Sequence, residues 1–170
     1  MIDPKIHLGF RGKSGVDHDI DFVDPKLSKI IKRCQDLPGE ELFAYVNDKG
    51  EPVDITSTHV NDYLKQITGE DFTAKDLRTW GGTCKALEVL TGEFVTEELN
   101  EKKWAKRHLG VIKATASHLH NTVTVCRKYY IHPQIFETDK SGKLGDLWRA
   151  CRSSKTLSRE ENLLCKILKG

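Results

Sequence analysis

The apolar positions of this chain follow two different periods. Near the start, residues 6–10 alternate apolar and polar side chains loosely and residues 18–22 do so strictly, with the glycine-bearing stretch 11–15 between them. Period-two alternation on both sides of a tight turn predicts an antiparallel β-hairpin, with Lys13 at its tip. Another short strand is predicted over residues 42–46, where the turn-forming stretch 47–50 ends the apolar run.

The remainder of the chain shows the helical period. A first helix is predicted from Asp24 as the N-cap and Pro25 in the first turn. Others are predicted after Ser57 or Thr58, after Thr73, over 96–119 as one helix or two joined ones, over 122–130, and after Ser158. The apolar positions that carry this spacing are Leu27, Ile30, Ile31, Cys34, Val60, Tyr63, Leu64, Ile67, Leu77, Trp80, Cys84, Leu87, Ala105, Leu109, Ile112, Ala116, Leu119, Leu163, Leu164, Ile167 and Leu168.

This order of elements predicts an α+β fold that is mostly α-helical, with a small antiparallel sheet near the N-terminus. We expect a single domain over residues 1–170, because this length can bury roughly two-thirds of its unfolded surface and no domain-scale linker interrupts it.

Composition narrows the class of protein. Hydrophobic residues make up 38% and charged residues 31% of the chain, and no apolar run approaches the roughly 20 residues of a membrane span. The N-terminus has no signal-peptide pattern. The five cysteines are odd in number and scattered, which fits neither a disulfide framework nor a zinc knuckle. We therefore expect a cytoplasmic protein, not a secreted one, with reduced thiols.

Charge is distributed unevenly along the chain. Residues 1–70 hold 9 Lys/Arg against 13 Asp/Glu, whereas residues 71–170 hold 18 against 12. A basic second part favours a polyanionic partner, although solvated basic helix faces are also common.

The stretch 121–133 holds two tyrosines, Tyr129 and Tyr130, directly after an Arg-Lys pair. A tyrosine hydroxyl is a poor nucleophile near neutral pH, because its ordinary pKa is about 10. It becomes effective where cations surround the electrophile and stabilise the charge of the transition state. Phosphodiesters need such a site, so this stretch indicates a tyrosine directed at a phosphate; a tyrosine packed in the core is the alternative.

Two earlier segments supply candidate cations. Lys75 and Arg78 are three residues apart on a predicted helix and share a face, and an arginine fork suits phosphate oxygens. Lys13 lies on a hairpin tip that can reach into a groove, and its glycines lack the spacing of a P-loop. Each segment alone also has a purely structural alternative. The helix with Lys75 and Arg78 fits an exposed, ion-pairing helix face, and the hairpin tip with Lys13 fits an ordinary surface turn.

Taken together, the three segments resemble the catalytic domain of type IB DNA topoisomerases of the compact poxvirus and bacterial kind. The residues that carry the resemblance are Phe10-Arg-Gly-Lys-Ser-Gly15, Phe72-Thr-Ala-Lys-Asp-Leu-Arg-Thr-Trp-Gly81, Asn121-Thr122 and Cys126-Arg-Lys-Tyr-Tyr-Ile-His-Pro133. The resemblance runs through nearly the whole chain and implies the fold shared by topoisomerase IB and tyrosine recombinase catalytic domains.

The resemblance also implies roles for five residues. Tyr130, directly before Ile-His-Pro, corresponds to the nucleophile, and Arg78 to the arginine that clamps the scissile phosphate. Lys75 corresponds to an assisting lysine, and Lys13 to the general acid that protonates the leaving 5′ oxygen. Asn121 corresponds to a phosphate-contacting position, which is asparagine in the bacterial-type enzymes.

The implied reaction is relaxation of supercoiled double-stranded DNA through a 3′-phosphotyrosyl intermediate. The phosphoester bond energy is conserved in that reaction, so no ATP, metal or other cofactor is expected. The sequence His118-x-His120 is not expected to bind a metal, since residues two apart on a helix point in different directions.

The chain departs from the family pattern at its start. The family has a further catalytic arginine before the hairpin and an N-terminal clamp domain before that; Arg11 does not match this arginine. We therefore expect this chain to lack the N-terminal part, and losing one of five charge-stabilising groups to cost orders of magnitude in rate.

Two alternatives stay open. Tyrosine recombinases use similar chemistry, but they usually carry His-x-x-Arg where this chain has Lys75-Asp-Leu-Arg78, and Leu-Gly-His where it has Leu-His-Asn121. The other alternative is a non-catalytic DNA-binding remnant, whose affinity for duplex phosphates would fall steeply with salt.

Overall fold

The computed structural model describes residues 3–12, 15, 17–94 and 99–169. The chain divides into two compact units, Met1–Asp71 and Phe72–Gly170. Each unit is described by itself, and the expectation of a single domain stays a prediction.

The first unit begins with the predicted hairpin. Strands β1 (Lys5–Arg11) and β2 (Asp17–Val23) pair antiparallel, with His7 opposite Asp21. The prediction of a hairpin is confirmed, but Lys13 lies outside the described residues. Helix α1 (Pro25–Gln35) follows, and the Asp24 carboxylate accepts hydrogen bonds from the first free backbone N–H groups, at 2.8 and 2.9 Å. The predicted cap is therefore confirmed.

A second small sheet and a helix complete this unit. Strand β3 (Ala44–Val46) is shorter than the predicted run and pairs with β4 (Pro52–Asp54), a strand that was not predicted. Helix α2 (Ser57–Thr68) begins one residue earlier than expected, because Thr56 is its N-cap, and it ends at Gly69 in the left-handed conformation. No residue of α2 is buried; Tyr63, for example, is 60% exposed.

The second unit is all helical in its described residues. Helix α3 (Ala74–Gly92) begins at the predicted cap, Thr73, and α4 (Glu101–His118) begins at Asn100. Residues 95–98, where the helix over 96–119 was predicted to start, lie outside the described residues. Then come α5 (Val123–Tyr129), α6 (Gln134–Lys140), α7 (Lys143–Arg149) and α8 (Arg159–Lys169), of which α6 and α7 were not predicted.

These helices enclose one connected apolar core. Its buried members are Ala86, Leu87, Leu90, Val111, Ile112, Ala116, Cys126, Ile131, Ile135, Leu144, Cys151, Leu163, Leu164 and Ile167. Full burial of a leucine or isoleucine side chain stabilises a fold by about 1.5–3 kcal/mol. The helices that carry the candidate site therefore rest on the best-packed part of the described chain.

A buried ionic cluster connects α4 to α6. The Arg107 guanidinium donates two hydrogen bonds to the Asp139 carboxylate, at 2.9 and 3.2 Å, and one to the backbone oxygen of Leu90. The His108 ring nitrogen lies 3.1 Å from the same carboxylate. Burial alone would raise the pKa of Asp139, but the hydrogen bonds from His108 and Arg107 and their charge hold it below its usual value.

The fold is therefore mostly α-helical with a small antiparallel sheet near the N-terminus, as predicted. Across the described ranges, no helix has the length and apolar character that a membrane crossing requires.

Candidate functional site

The predicted nucleophile lies at the end of a short helix. The Thr122 hydroxyl caps α5 by accepting from the backbone N–H of Val125, at 3.3 Å. Tyr130 is the C-cap of α5, with φ −123° and ψ 4°, and not part of the helix as the prediction of 122–130 had it. The Tyr130 side chain is partly buried and packs against the apolar core, whereas the neighbouring Tyr129 is exposed, with 45% of its surface accessible.

The predicted phosphate clamp lies beside Tyr130. The Arg78 guanidinium carbon is 5.4 Å from the centroid of the Tyr130 ring, which is a cation–π arrangement. A guanidinium nitrogen of Arg78 also donates to the backbone oxygen of Leu119, the C-cap of α4. The structure thus brings Arg78 and Tyr130 together, as the resemblance implied.

The predicted assisting lysine lies on the same face of α3, one turn earlier. The Lys75 ammonium is 5.1 Å from the centroid of the Tyr129 ring, and that of Lys128 is also 5.1 Å from it. Two ammonium groups beside one exposed ring form a locally positive surface next to Tyr130. Such a surface favours an anion.

The backbone around Tyr130 is attached to α3 by contacts that the sequence did not reveal. The Thr79 hydroxyl lies 3.1 Å from the backbone oxygen of Tyr129 and 3.0 Å from that of Lys75, so its single hydrogen is shared between the two. The backbone N–H of His132 donates to the Thr83 hydroxyl, at 3.1 Å. Between them, a Cβ added at Gly82 would lie 2.5 Å from the backbone oxygen of Tyr130. Only a glycine allows this approach, which explains one of the two glycines inside α3.

One sequence prediction about α3 is wrong. Leu77 was expected to anchor the helix together with Trp80, but Leu77 is 56% exposed. Trp80 does pack against the core, and its indole N–H donates to Glu161. The helix is anchored at Trp80 and, further along, at buried residues such as Leu87, so its first turns carry an exposed surface.

Asn121 follows α4 and precedes the cap of α5. Its backbone N–H donates to the Ala116 oxygen, at 2.9 Å. Its side-chain nitrogen Nδ2 is buried and, within the described part of the chain, has no hydrogen-bond partner. A buried hydrogen-bond donor without a partner destabilises a fold by roughly 1–3 kcal/mol. The Asn121 amide can therefore gain stability by donating to an acceptor from a bound ligand.

The thiol nearest the site is Cys126 of α5. Burial raises the pKa of Cys126, and the positive charge of Arg78 offsets that rise in part. Cys84, on another side of α3, has its pKa raised to about 12 by burial and by the charges of Glu161 and Glu160. A raised pKa keeps both thiols protonated at neutral pH, so neither is an activated nucleophile.

One group of side chains in the described residues could hold a metal ion. His7, Asp19 and Asp21 of the hairpin bring ligand atoms within 4.8 Å of one another, and all three are exposed. The His7 ring nitrogen is 2.9 Å from Asp21 and 3.2 Å from Asp19. A hydrogen bond with Asp21 and the charges of both carboxylates raise the pKa of His7, so a shared proton accounts for these distances. The expectation that no metal or cofactor is used stays a prediction.

The five predicted site residues are therefore placed as follows. Lys75 and Arg78 lie on α3, Tyr130 lies at the end of α5, and Asn121 lies in the connection between α4 and α5. All four are in the second unit. Lys13 lies outside the described residues. The roles assigned to these five residues stay predictions.

Two comparisons with known proteins match this chain. Residues 2–151 match the protein family described as "Eukaryotic DNA topoisomerase I, catalytic core". The chain is also similar to the DNA topoisomerase 1B of Acanthamoeba polyphaga mimivirus, with 29% identity over 131 residues. That alignment covers 74% of this chain and 39% of the viral protein, so the chain spans well under half of the length of this relative.

Proposed function

Because the chain belongs to the family of DNA topoisomerase I catalytic cores, we propose that it relaxes supercoiled double-stranded DNA by cutting and rejoining one strand, with Tyr130 as the nucleophile. The observation that carries the proposal is the Arg78 guanidinium 5.4 Å from the Tyr130 ring, with Lys75 on the same helix face. A phenol with a guanidinium beside its own ring and an ammonium beside the neighbouring Tyr129 ring suits attack on a phosphodiester.

The proposed step is a transesterification. The Tyr130 hydroxyl gives its proton to solvent water and attacks phosphorus, a phosphotyrosyl bond forms at the 3′ end, and the bond to the 5′ oxygen breaks. That oxygen takes a proton, for which Lys13 is the proposed donor. The same bonds exchange in reverse when the 5′ hydroxyl attacks, so the reaction balances without ATP, metal or oxidant.

Arg78 is proposed to hold the scissile phosphate. A guanidinium has five N–H donors, so the bond to the Leu119 oxygen leaves donors that can pair with phosphate oxygens. That bond also fixes the plane of the guanidinium before DNA arrives. Preorganised donors of this kind typically contribute about 10²–10³ in rate.

Asn121 and Lys75 are proposed to complete the phosphate site. The buried Nδ2 of Asn121 lacks a partner, and a phosphate oxygen would satisfy it. Lys75 lies beside Tyr129, so its ammonium is held near the reacting group without an ion pair to neutralise it in the described structure.

The proposed setting is a cytoplasmic enzyme in which residues 1–170 act as a single catalytic domain on duplex DNA. An N-terminal clamp domain is proposed to complete the grip on DNA and to supply a further arginine. A single-turnover assay detects one cleavage event without repeated turnover, so it is the more sensitive test.

The test uses a suicide substrate, a nicked duplex from which the cut end diffuses away, without ATP or magnesium. We expect a covalent protein–DNA adduct with the wild-type chain and with the matched control Tyr129→Phe, and no adduct with Tyr130→Phe. Arg78→Ala should slow adduct formation about 10²–10³-fold. Relaxation of a supercoiled plasmid should show the same order among the variants.

Two results would contradict the proposal. Duplex binding without any adduct would indicate a non-catalytic DNA-binding protein. An adduct that survives Tyr130→Phe but disappears in Tyr129→Phe would assign the nucleophile to the neighbouring tyrosine.

A further inference from the structure

We infer that Glu161, on the C-terminal helix α8, is a positioning residue that fixes the orientation of α3 and so keeps Arg78 beside Tyr130. The inference rests on the proposed function of Arg78 and Tyr130. Helix α8 lies beyond residues 2–151, the part of the chain that matches the family.

The first observation is a hydrogen bond between the two helices. The indole N–H of Trp80 donates to one carboxylate oxygen of Glu161, at 3.0 Å, and the pair is partly buried. Trp80 is two residues after Arg78 on α3, and successive helical residues are rotated by about 100°. Trp80 therefore projects about 200° away from Arg78, on the opposite side of the helix.

The second observation is that Glu161 itself is fixed. Its other carboxylate oxygen accepts from the backbone N–H of Ser158, at 2.8 Å, and its own backbone N–H donates to the Ser158 hydroxyl, at 3.1 Å. This is a capping box at the start of α8. The bonds from Ser158 and Trp80 lower the pKa of Glu161, so it stays ionised at neutral pH.

The third observation is that α8 is a rigid support. Leu163, Leu164 and Ile167 are buried in the core of the second unit. The first residue of α8 attaches this helix to the end of α7, because the Arg159 guanidinium donates to the backbone oxygens of Cys151 and Trp148, at 3.1 and 2.8 Å. A side chain on such a support can hold its partner to within a narrow range of positions.

These contacts hold α3 from two sides. Thr79, Gly82 and Thr83 contact the backbone around Tyr130, and Trp80 is held by Glu161. Without the Glu161 bond, the exposed first turns of α3 would be held from one side only, and the Arg78 side chain would be displaced in relation to Tyr130. Displacements of about 1 Å can cost a site up to 10²-fold in rate.

The test compares single-turnover adduct formation, duplex affinity and thermal unfolding in the full chain. We expect Glu161→Ala and Trp80→Phe each to slow adduct formation about 10- to 100-fold, with the double variant no slower than either single one. Affinity for a short duplex at fixed salt should fall by no more than it does in Arg78→Ala, since the other phosphate contacts remain.

Two control variants separate positioning from stability. Ser158→Ala removes the hydroxyl of the capping box but leaves the Trp80–Glu161 bond, so it should lower the thermal midpoint without slowing adduct formation. Glu161→Gln keeps an oxygen that accepts the indole N–H, so its rate should recover toward that of the wild type. The inference is overturned if Ser158→Ala is as slow as Glu161→Ala, or if the effects of Trp80→Phe and Glu161→Ala multiply.

If the wild-type chain forms no adduct, the proposed function is rejected. A double-mutant cycle that measures duplex affinity still tests the role of Glu161 in that case. Arg78→Ala should weaken duplex affinity more in the wild-type background than in the Glu161→Ala background, because Arg78 is displaced in the latter. An equal loss in both backgrounds, or none, would show that Glu161 does not position Arg78.

Discussion

The two units of the chain differ in how their buried residues are arranged. In the first unit the buried residues are few and dispersed, among them Ile6, Ile31 and Ala44, and helix α2 buries none of its side chains. In the second unit the buried residues form one connected core under the candidate site. The difference indicates that precise positioning is concentrated in the second unit.

A pair of histidine–carboxylate clusters illustrates the same contrast. In the first unit, His7 contacts Asp19 and Asp21 on an exposed hairpin face, where water and salt weaken the interaction. In the second unit, His108 and Arg107 share Asp139, whose side chain is only 5% exposed. The first cluster can rearrange at little cost, whereas the second fixes α4 against α6.

The largest expected difference between the two units is the loss of stability when a core side chain is truncated. Leu87→Ala should destabilise the chain by about 2–5 kcal/mol, since Leu87 has no exposed surface. Ile31→Ala is the matched variant in the first unit and should cost less, because fewer buried neighbours surround it. Hydrogen exchange followed by mass spectrometry should show loss of protection in α3, α4 and α8 for Leu87→Ala, and within residues 3–71 for Ile31→Ala. Equal costs would contradict the contrast between the units.

The next effect is the pH dependence of the buried cluster. The pKa of Asp139 is lower in the folded chain than its ordinary value of 3.8, so its ion pairs stabilise the fold fully above that value. This stabilisation is lost as the pH falls below 3.8 and through the folded pKa.

Asp139→Asn should therefore cost roughly 3 kcal/mol at pH 7, where it leaves Arg107 without its full partner. The variant should lose less stability than the wild type on acidification below pH 4. Urea unfolding at several pH values measures both quantities. A cost at pH 7 that persists undiminished at pH 2 would contradict the ionic origin of the effect.

The smallest expected change in stability comes from replacing each of two adjacent glycines, Gly81 and Gly82, by alanine. Gly82→Ala should destabilise the second unit by about 1–3 kcal/mol and slow adduct formation, because its Cβ would meet the Tyr130 backbone oxygen at 2.5 Å. Gly81→Ala is the matched control, with no atom within 4 Å of the added Cβ. It should stabilise α3 by about 1 kcal/mol, the usual helical gain of alanine over glycine. Thermal unfolding of both variants gives the comparison, and the same sign for both would contradict it.

Local sequence signals predicted the first unit's hairpin and the starts of several helices. Asp24, Thr73 and Ser158 each precede a helix and cap it through the side chain, which depends on residues two or three positions apart. Signals of that range are readable in a sequence. The short helices α6 and α7 were missed, and in seven residues the helical period is weak; α5 is equally short, and its bounds were predicted only approximately.

The site was predictable only in part. Lys75, Arg78 and Tyr130 were found from residue type and resemblance, and the structure brings Arg78 close to Tyr130. The contacts of Thr79, Thr83 and Glu161 join positions 49 to 81 residues apart, and no local pattern announces them. The exposure of Leu77 was likewise decided by which neighbours the helix meets, and not by its own spacing.

The position of Tyr130 at a helix end has a mechanical consequence. If Tyr130 is the nucleophile, as proposed, a DNA strand attached to its hydroxyl would pull on the C-cap residue of α5. The tension would pass to α3 through the Tyr129 oxygen and the His132 N–H, which Thr79 and Thr83 hold on either side. Torque from an unwinding duplex would then be shared between α5, through the bond from the Tyr130 N–H to the Cys126 oxygen, and a nineteen-residue helix seated in the core.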